Sequence, residues 1–201
     1  MMKNHIQIIE KPESVSWEEI QSLLHRAHES NKKIGLNYAT ADQSAERLKA
    51  KIGDKGICLV AFDGDKLVGT GTVDFRILNK WYHKGEAAHL GFLGVVPEYK
   101  GRHLGLRLAE ARWECAKEYG MKVIYTSSAE GNLIVRNLNI KNGFKKVDYY
   151  AYKSNNFYSV VYAKWLDGCP FSDAYINFRY NLRRAYIRLR YKPGKIKRFG
   201  V

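Results

Sequence analysis

Cysteine, proline and long apolar runs are all scarce in this 201-residue chain. The three cysteines, Cys58, Cys115 and Cys169, are odd in number and scattered. That excludes a disulfide framework and a cysteine zinc cluster. No stretch approaches the ~18 uninterrupted apolar residues that a membrane-spanning helix needs. The opening Met1–Gln7 lacks the apolar run of a secretory signal. His25 and His28 stand three apart, but nothing brings further ligands to them, so no metal is expected. Internal repeats and low-complexity segments are absent. Acids are the scarcer charge: Asp and Glu number 20 against 34 Lys and Arg, a net charge of +14. Apolar residues make up 45% and aromatics 13%, enough for a sizeable core, so general disorder is excluded. The composition describes a soluble, cytoplasmic protein.

The charge is unevenly placed. Residues 167–201 hold nine cations, from Arg179 to Arg198, against only Asp167 and Asp173, so half of the excess lies in the last sixth of the chain. This divides the chain into a body, 1–166, and a basic extension, 167–201.

The body reads as alternating strands and helices. A short strand over 5–9 leads to Ser16-Trp17-Glu18-Glu19, a capping box in which Ser16 opens a helix and Glu19 closes back on it. Ile20, Leu23, Leu24 and Ala27 form its apolar stripe. A second helix is expected at about 42–51, then a strand over 57–62, an Asp63-Gly64-Asp65-Lys66 hairpin turn and a returning strand over 67–75. Residues 80–88 read as a loop, 90–96 as a strand, 103–118 as a helix ended by Gly120, and 122–127 as a strand. A helix over 133–141 and strands over 144–152 and 157–165 complete the body. The order is an α/β (α+β) arrangement with a mixed, mostly antiparallel central sheet flanked by helices.

Chemistry concentrates at Leu93-Gly94-Val95-Val96-Pro97-Glu98-Tyr99-Lys100-Gly101-Arg102-His103-Leu104-Gly105-Leu106. A strand ends, and a glycine-containing basic turn opens directly into a helix. The unpaired amides and partial positive charge of a first helical turn suit a pyrophosphate, and Lys100 and Arg102 stand beside it. Pro97-Glu98-Tyr99-Lys100-Gly101 resembles the acyl-CoA-binding segment of the GNAT superfamily of N-acetyltransferases. In that family's (Arg/Gln)-x-x-Gly-x-(Gly/Ala) pattern, Lys100 takes the first place and Gly105 the last, while His103 replaces the middle glycine. A second block, Asn132 to Gly143-Phe144, is similar to the family's Asn-x-x-Ala-x-x-x-Tyr-x-x-x-Gly-Phe helix. The motifs cover 93–106 and 132–144, and the element order covers 5 to about 166.

The resemblance implies an acyl-CoA N-acyltransferase fold and acetyl-CoA as cofactor. Backbone groups of Leu93, Gly94 and Val95 would bind its pantetheine arm. Amides of Gly101, Arg102, His103, Leu104, Gly105 and Leu106, with Lys100, would hold the pyrophosphate, and Asn132 the pantetheine end. Many relatives carry a general-base Glu six places before the motif valine; here that position is His89, with Glu86 near enough in sequence to orient it or to act itself. A second carboxylate position on the next strand is Ser127. The family's general-acid tyrosine is replaced by Asn139, whose amide cannot give up a proton at neutral pH. Tyr149 or Tyr150 are candidates to serve instead. Tyr38, Trp81 and Tyr82 are candidate acceptor contacts.

In the extension, Ser172 or Asp173 caps a helix on which Phe171, Tyr175, Phe178, Leu182, Ala185/Tyr186 and Leu189 form one face. The expectation is that this face packs on the body or on a second subunit, as in a homodimer; an anionic membrane surface or nucleic acid are the alternatives. The expected activity is transfer of an acetyl group to a primary amine of a small-molecule acceptor by direct attack. The alternative is a non-catalytic acyl-CoA sensor or scaffold whose basic tail engages an anionic partner.

Overall fold

The computed structural model describes residues 6–33, 43–52, 56–152 and 156–192. A seven-stranded sheet is flanked by helices. Strand Ile6–Glu10 pairs antiparallel with Gly56–Asp63, which pairs antiparallel with Lys66–Lys80; Tyr158–Trp165 pairs antiparallel with both Val123–Ala129 and Lys145–Ala151. The chain forms two compact units, one from residues 1–76 and 88–121, the other from 77–87 and 122–201.

The first unit holds, in sheet order, β1 (Ile6–Glu10), β2 (Gly56–Asp63), β3 (Lys66–Lys80) as far as Arg76 and β4 (His83–Val95) from Ala88 on; residues 77–80 and 83–87 of these two strands belong to the second unit. Helices α1 (Trp17–Lys33), α2 (Ala45–Ile52) and α3 (Leu104–Glu118) cover them. The capping box forms as expected: Ser16 N–H donates to Glu19 Oε2 at 2.7 Å, and Glu19 N–H to Ser16 Oγ at 3.1 Å. Leu23 and Ala27 of α1 join Leu104 and Leu108 of α3 in one core cluster with Ala61 and Val68; Ile20 and Leu24 join Leu48 and Ile52 of α2 in another.

The expected loop over 80–88 is not a loop. β3 runs on to Lys80 and β4 starts at His83, so the two make one long hairpin. The lysines and Gly85 argued for a loop, but a neighbouring strand supplies ladder partners whatever the side chains.

In the second unit, strands order as β5 (Val123–Ala129), β7 (Tyr158–Trp165) and β6 (Lys145–Ala151), with α4 (Leu133–Lys141) and α5 (Asp173–Arg190). Ser172 caps α5, its Oγ accepting from Tyr175 N–H. The helix packs with the wrong face by sequence expectation. Ile176, Tyr180 and Ile187 are buried, whereas Tyr175, Phe178, Leu182, Tyr186 and Leu189 are exposed. Phe171 does pack inward, against Trp81 and Trp165. The reason is electrostatic. Arg183, Arg184 and Arg188 lie beside the Ile176/Ile187 row, and they reach Asp148 and Glu130. The two acids draw that side of the helix inward. Cys58 and Cys115 are buried, as expected of small apolar residues, but Cys169 is exposed.

Candidate functional site

The first unit carries the turn between β4 and α3, and Glu98, Tyr99 and Lys100 each have a fixing side-chain contact. Pro97–Tyr99 is one 3₁₀ turn. Glu98 pairs with Arg26 of α1 at 2.9 Å. Tyr99 Oη donates to Asp63 at 2.5 Å. Arg102 stacks 5.1 Å over the Tyr99 ring. Lys100 differs from the sequence expectation. Its ammonium donates to Ala27 O at 2.9 Å and to Ser30 Oγ at 3.1 Å, so it ties the turn to α1. Gly101 takes φ +78°, a conformation that favours glycine.

His103 occupies the left-handed region as well, with φ +60°. The backbone thus keeps the conformation of the glycine it replaces, and the side chain makes no cap bond. The first bond of the α3 ladder runs from Arg107 N–H to His103 O. The amides of Leu104, Gly105 and Leu106 therefore have no helical acceptor. Together with the helix dipole, they form an anion-binding end.

Within β4, Phe92 adopts φ +44°. A left-handed residue inside a strand is the backbone signature of a bulge; just beyond it, Val96 N–H donates to Val68 O at 3.1 Å. Leu93, Gly94 and Val95 follow Phe92 immediately. Gly94 is required for packing: a Cβ there would lie 3.0–3.1 Å from Leu24 and Ala27 side chains. Arg112, 5% exposed on α3, donates from Nη1 to the Gly91 carbonyl at 3.1 Å, directly before the bulge. Burial lowers the Arg112 pKa to about 10. Sequence reasoning missed both residues. Glycines on either side of Phe92 concealed the bulge, and a lone arginine on a helix looks like surface.

His89 lies on β4, and its Nδ1 is 2.8 Å from Asp74 Oδ1 on β3. Asp74 is 4% exposed and also accepts from Arg76 Nε at 2.9 Å. Burial works to raise the Asp74 pKa; His89 and Arg76 outweigh it and hold the carboxyl below its ordinary value. The carboxylate is thus placed to accept a hydrogen bond from His89 Nδ1–H and to fix the orientation of the ring. Glu86 does not orient His89. It is an odd number of strand positions away, so the two side chains leave β4 on opposite faces; Glu86 is exposed, and its carbonyl accepts from His83 Nε2. The orienting acid is Asp74, 15 residues earlier, which only the β3–β4 pairing brings near.

In the second unit, Asn132 caps α4, its Oδ1 accepting from Val135 N–H at 3.1 Å. Asn139 is 5% exposed, and its Nδ2 has no hydrogen-bond partner among the described residues. A buried donor without an acceptor is costly unless a ligand completes it. Tyr149 and Tyr150 are otherwise engaged. Tyr149 Oη donates to Glu130 and Tyr150 Oη to Asp148, each at 2.6 Å. Burial, then the carboxylates, push both phenols well above the ordinary tyrosine range, which makes them poor proton donors. Ser127 is exposed on β5.

Trp81 and Tyr82 are structural. Tyr82 is buried, Trp81 Nε1 donates to Val147 O at 3.2 Å, and Arg179 covers the Trp81 ring. With Lys80, Lys122, Trp165 and Phe171 they line a hollow of about 410 Å³. Tyr38 lies outside the described residues.

Within the first unit, the free amides at the start of α3 and the strand leading into them have the character that the pyrophosphate of an acyl-CoA donor would need. Comparison with known proteins agrees. Residues 17–144 match the family model described as Acetyltransferase (GNAT) family. An acetyltransferase from Streptococcus agalactiae superposes with TM-score 0.62 at 20% identity, over 82% of this chain and all of that one. The ribosomal-protein-S18-alanine N-acetyltransferase of Escherichia coli gives 0.59 at 14%, over 80% and 94%. The PaiA N-acetyltransferase of Thermoplasma acidophilum, in complex with coenzyme A, gives 0.58 at 22%, over 80% and 98%. No curated protein matches by sequence.

Proposed function

Since this chain belongs to the GNAT acetyltransferase family, an acetyl-CoA-dependent group, we propose that it acetylates a primary amine of a small-molecule acceptor by direct attack in a ternary complex, with His89 as general base. The observation that carries this is the His89–Asp74 pair on adjacent strands, at the position where relatives keep a carboxylate base.

Bound acetyl-CoA supplies an activated acyl carbon and a thiolate leaving group. On this proposal, the amides of Leu93–Val95 and Leu104–Leu106, with those of Gly101–His103, hold the donor. Lys100 acts by tying the turn to α1. For Asn132 and Asn139 a role toward the donor rests on the family pattern alone.

An ammonium has no lone pair, so the acceptor must lose a proton before its nitrogen bonds the acyl carbon. His89 Nε2 takes that proton, and Asp74 steadies the resulting imidazolium. A positioned base of this kind contributes roughly 100–10,000-fold. No described tyrosine is assigned as general acid; the thiolate departs with at most the Asn139 amide donating to it.

Thiol release with a panel of amines tests the reading. His89→Ala lowers kcat/KM at least tenfold at pH 7, and the deficit shrinks at pH values where the amine is already neutral. Asp74→Asn lowers kcat more than it raises KM. An unchanged rate in His89→Ala removes His89 from the mechanism. Cofactor binding without thiol release for any amine favours the sensor reading.

A further inference from the structure

The outward face of α5 is apolar and uncovered. Leu189 is 89% exposed, Phe178 63% and Leu182 60%, with Tyr175 and Tyr186 above 40%. Ala174 and Ala185 are exposed too. At ~100° per residue, these seven side chains share an arc of roughly 120° with no charged or amide residue inside it. The stripe runs ~22 Å along the helix. It is not a remnant of core, because the helix already buries Ile176, Tyr180 and Ile187 on its opposite side.

Charge selects the occupant. Arg179 and Arg190 border the stripe on one side; Arg188, on the other, is paired with Glu130. Lys192 follows, and the sequence continues with Lys195, Lys197 and Arg198 without an acid. A second copy would set these cations against their equivalents on a chain of net charge +14. Nucleic acid would satisfy the cations and leave Phe178, Leu182 and Leu189 in water. An anionic bilayer surface satisfies both: the apolar stripe enters the acyl boundary while the flanking cations meet lipid headgroups.

We propose that α5 docks the protein on an anionic phospholipid surface, lying in the interface plane with Phe178, Leu182 and Leu189 inserted. This goes beyond the acetyltransferase activity and does not rest on it.

The full chain is sedimented with vesicles of phosphatidylcholine alone and of phosphatidylcholine with 30% phosphatidylserine (~30%, an anionic surface of the kind charged segments recognise). The expected result is partitioning at least tenfold stronger on the anionic vesicles. The double variant Leu182→Glu/Leu189→Glu, altered only at exposed positions, loses that partitioning at least tenfold while its thermal midpoint and coenzyme A binding stay unchanged. Three results overturn the proposal: wild type stays in the supernatant with both vesicles; the double variant binds as well as wild type, which shows charge adsorption without the stripe; or wild type is a dimer by light scattering that the double variant splits, which assigns the stripe to a second copy.

Discussion

At the scale of single residues, His103 shows backbone geometry outliving the residue that normally permits it. A non-glycine residue in the left-handed region costs roughly 1–2 kcal/mol, and His103 makes no cap bond in return. His103→Gly is expected to raise stability by up to about 1 kcal/mol, the gain being trimmed by the greater freedom of glycine in the unfolded chain. Urea unfolding reads this, and acetyl-CoA affinity does not fall.

His28 on α1 is a second residue-scale case. Its Nε2 is shut off from solvent. Burial, and then the Lys100 charge, lower its pKa from 6.5 to about 4. The native state therefore resists a proton that the unfolded chain accepts. The stability it contributes is complete above pH 6.5 and is lost as pH falls toward 4, at most about 3 kcal/mol from this group. Urea midpoints measured across that window should fall more steeply for wild type than for His28→Asn.

At the scale of elements, α5 is held by a latch as well as by apolar contact. Glu130 accepts from Arg184 Nε at 3.0 Å, Arg188 Nη2 at 2.7 Å and Tyr149 Oη at 2.6 Å. Arg183 reaches Asp148, which Tyr150 also bonds. Glu130→Gln keeps the shape but removes the charge and turns an amide toward two guanidinium groups. The expected cost is about 1–3 kcal/mol, read as a lowered urea midpoint and as faster amide exchange along α5. The strand hairpin β3–β4 teaches a related lesson. Its polar, lysine-rich end looked like a loop because side-chain pattern alone cannot report a ladder partner, whereas α1 was legible from a capping box and a periodic stripe. The same limit applied to the site. The turn and its glycines could be read from Pro97-Glu98-Tyr99-Lys100-Gly101, but Asp74, Arg112 and the Phe92 bulge act through strand neighbours and helix packing, which no local run of residues encodes.

At the scale of the whole molecule, the net charge of +14 is dispersed among unlike tasks. Lys100 ties a turn to a helix, Arg112 holds a strand carbonyl, and Arg183, Arg184 and Arg188 pair with acids of the same unit. Much of the basicity thus serves the fold itself. A ligand that binds only the folded chain stabilises it by mass action, by about 2.7 kcal/mol at a hundredfold excess over Kd. Acetyl-CoA should therefore raise the thermal midpoint in a concentration-dependent way, and a midpoint unmoved at millimolar cofactor would contradict cofactor binding.

The sequence by itself determined the order of elements, the capped helices, the family and the anion-binding turn, because each is written in residues adjacent along the chain. Tertiary structure decided which acid lies beside His89, where β4 takes a left-handed residue, and which face of α5 turns inward. Those outcomes depend on partners far away in sequence. For α5, two apolar rows competed, and the one that packs, Ile176, Tyr180 and Ile187, is the one whose flanking arginines reach buried Asp148 and half-buried Glu130.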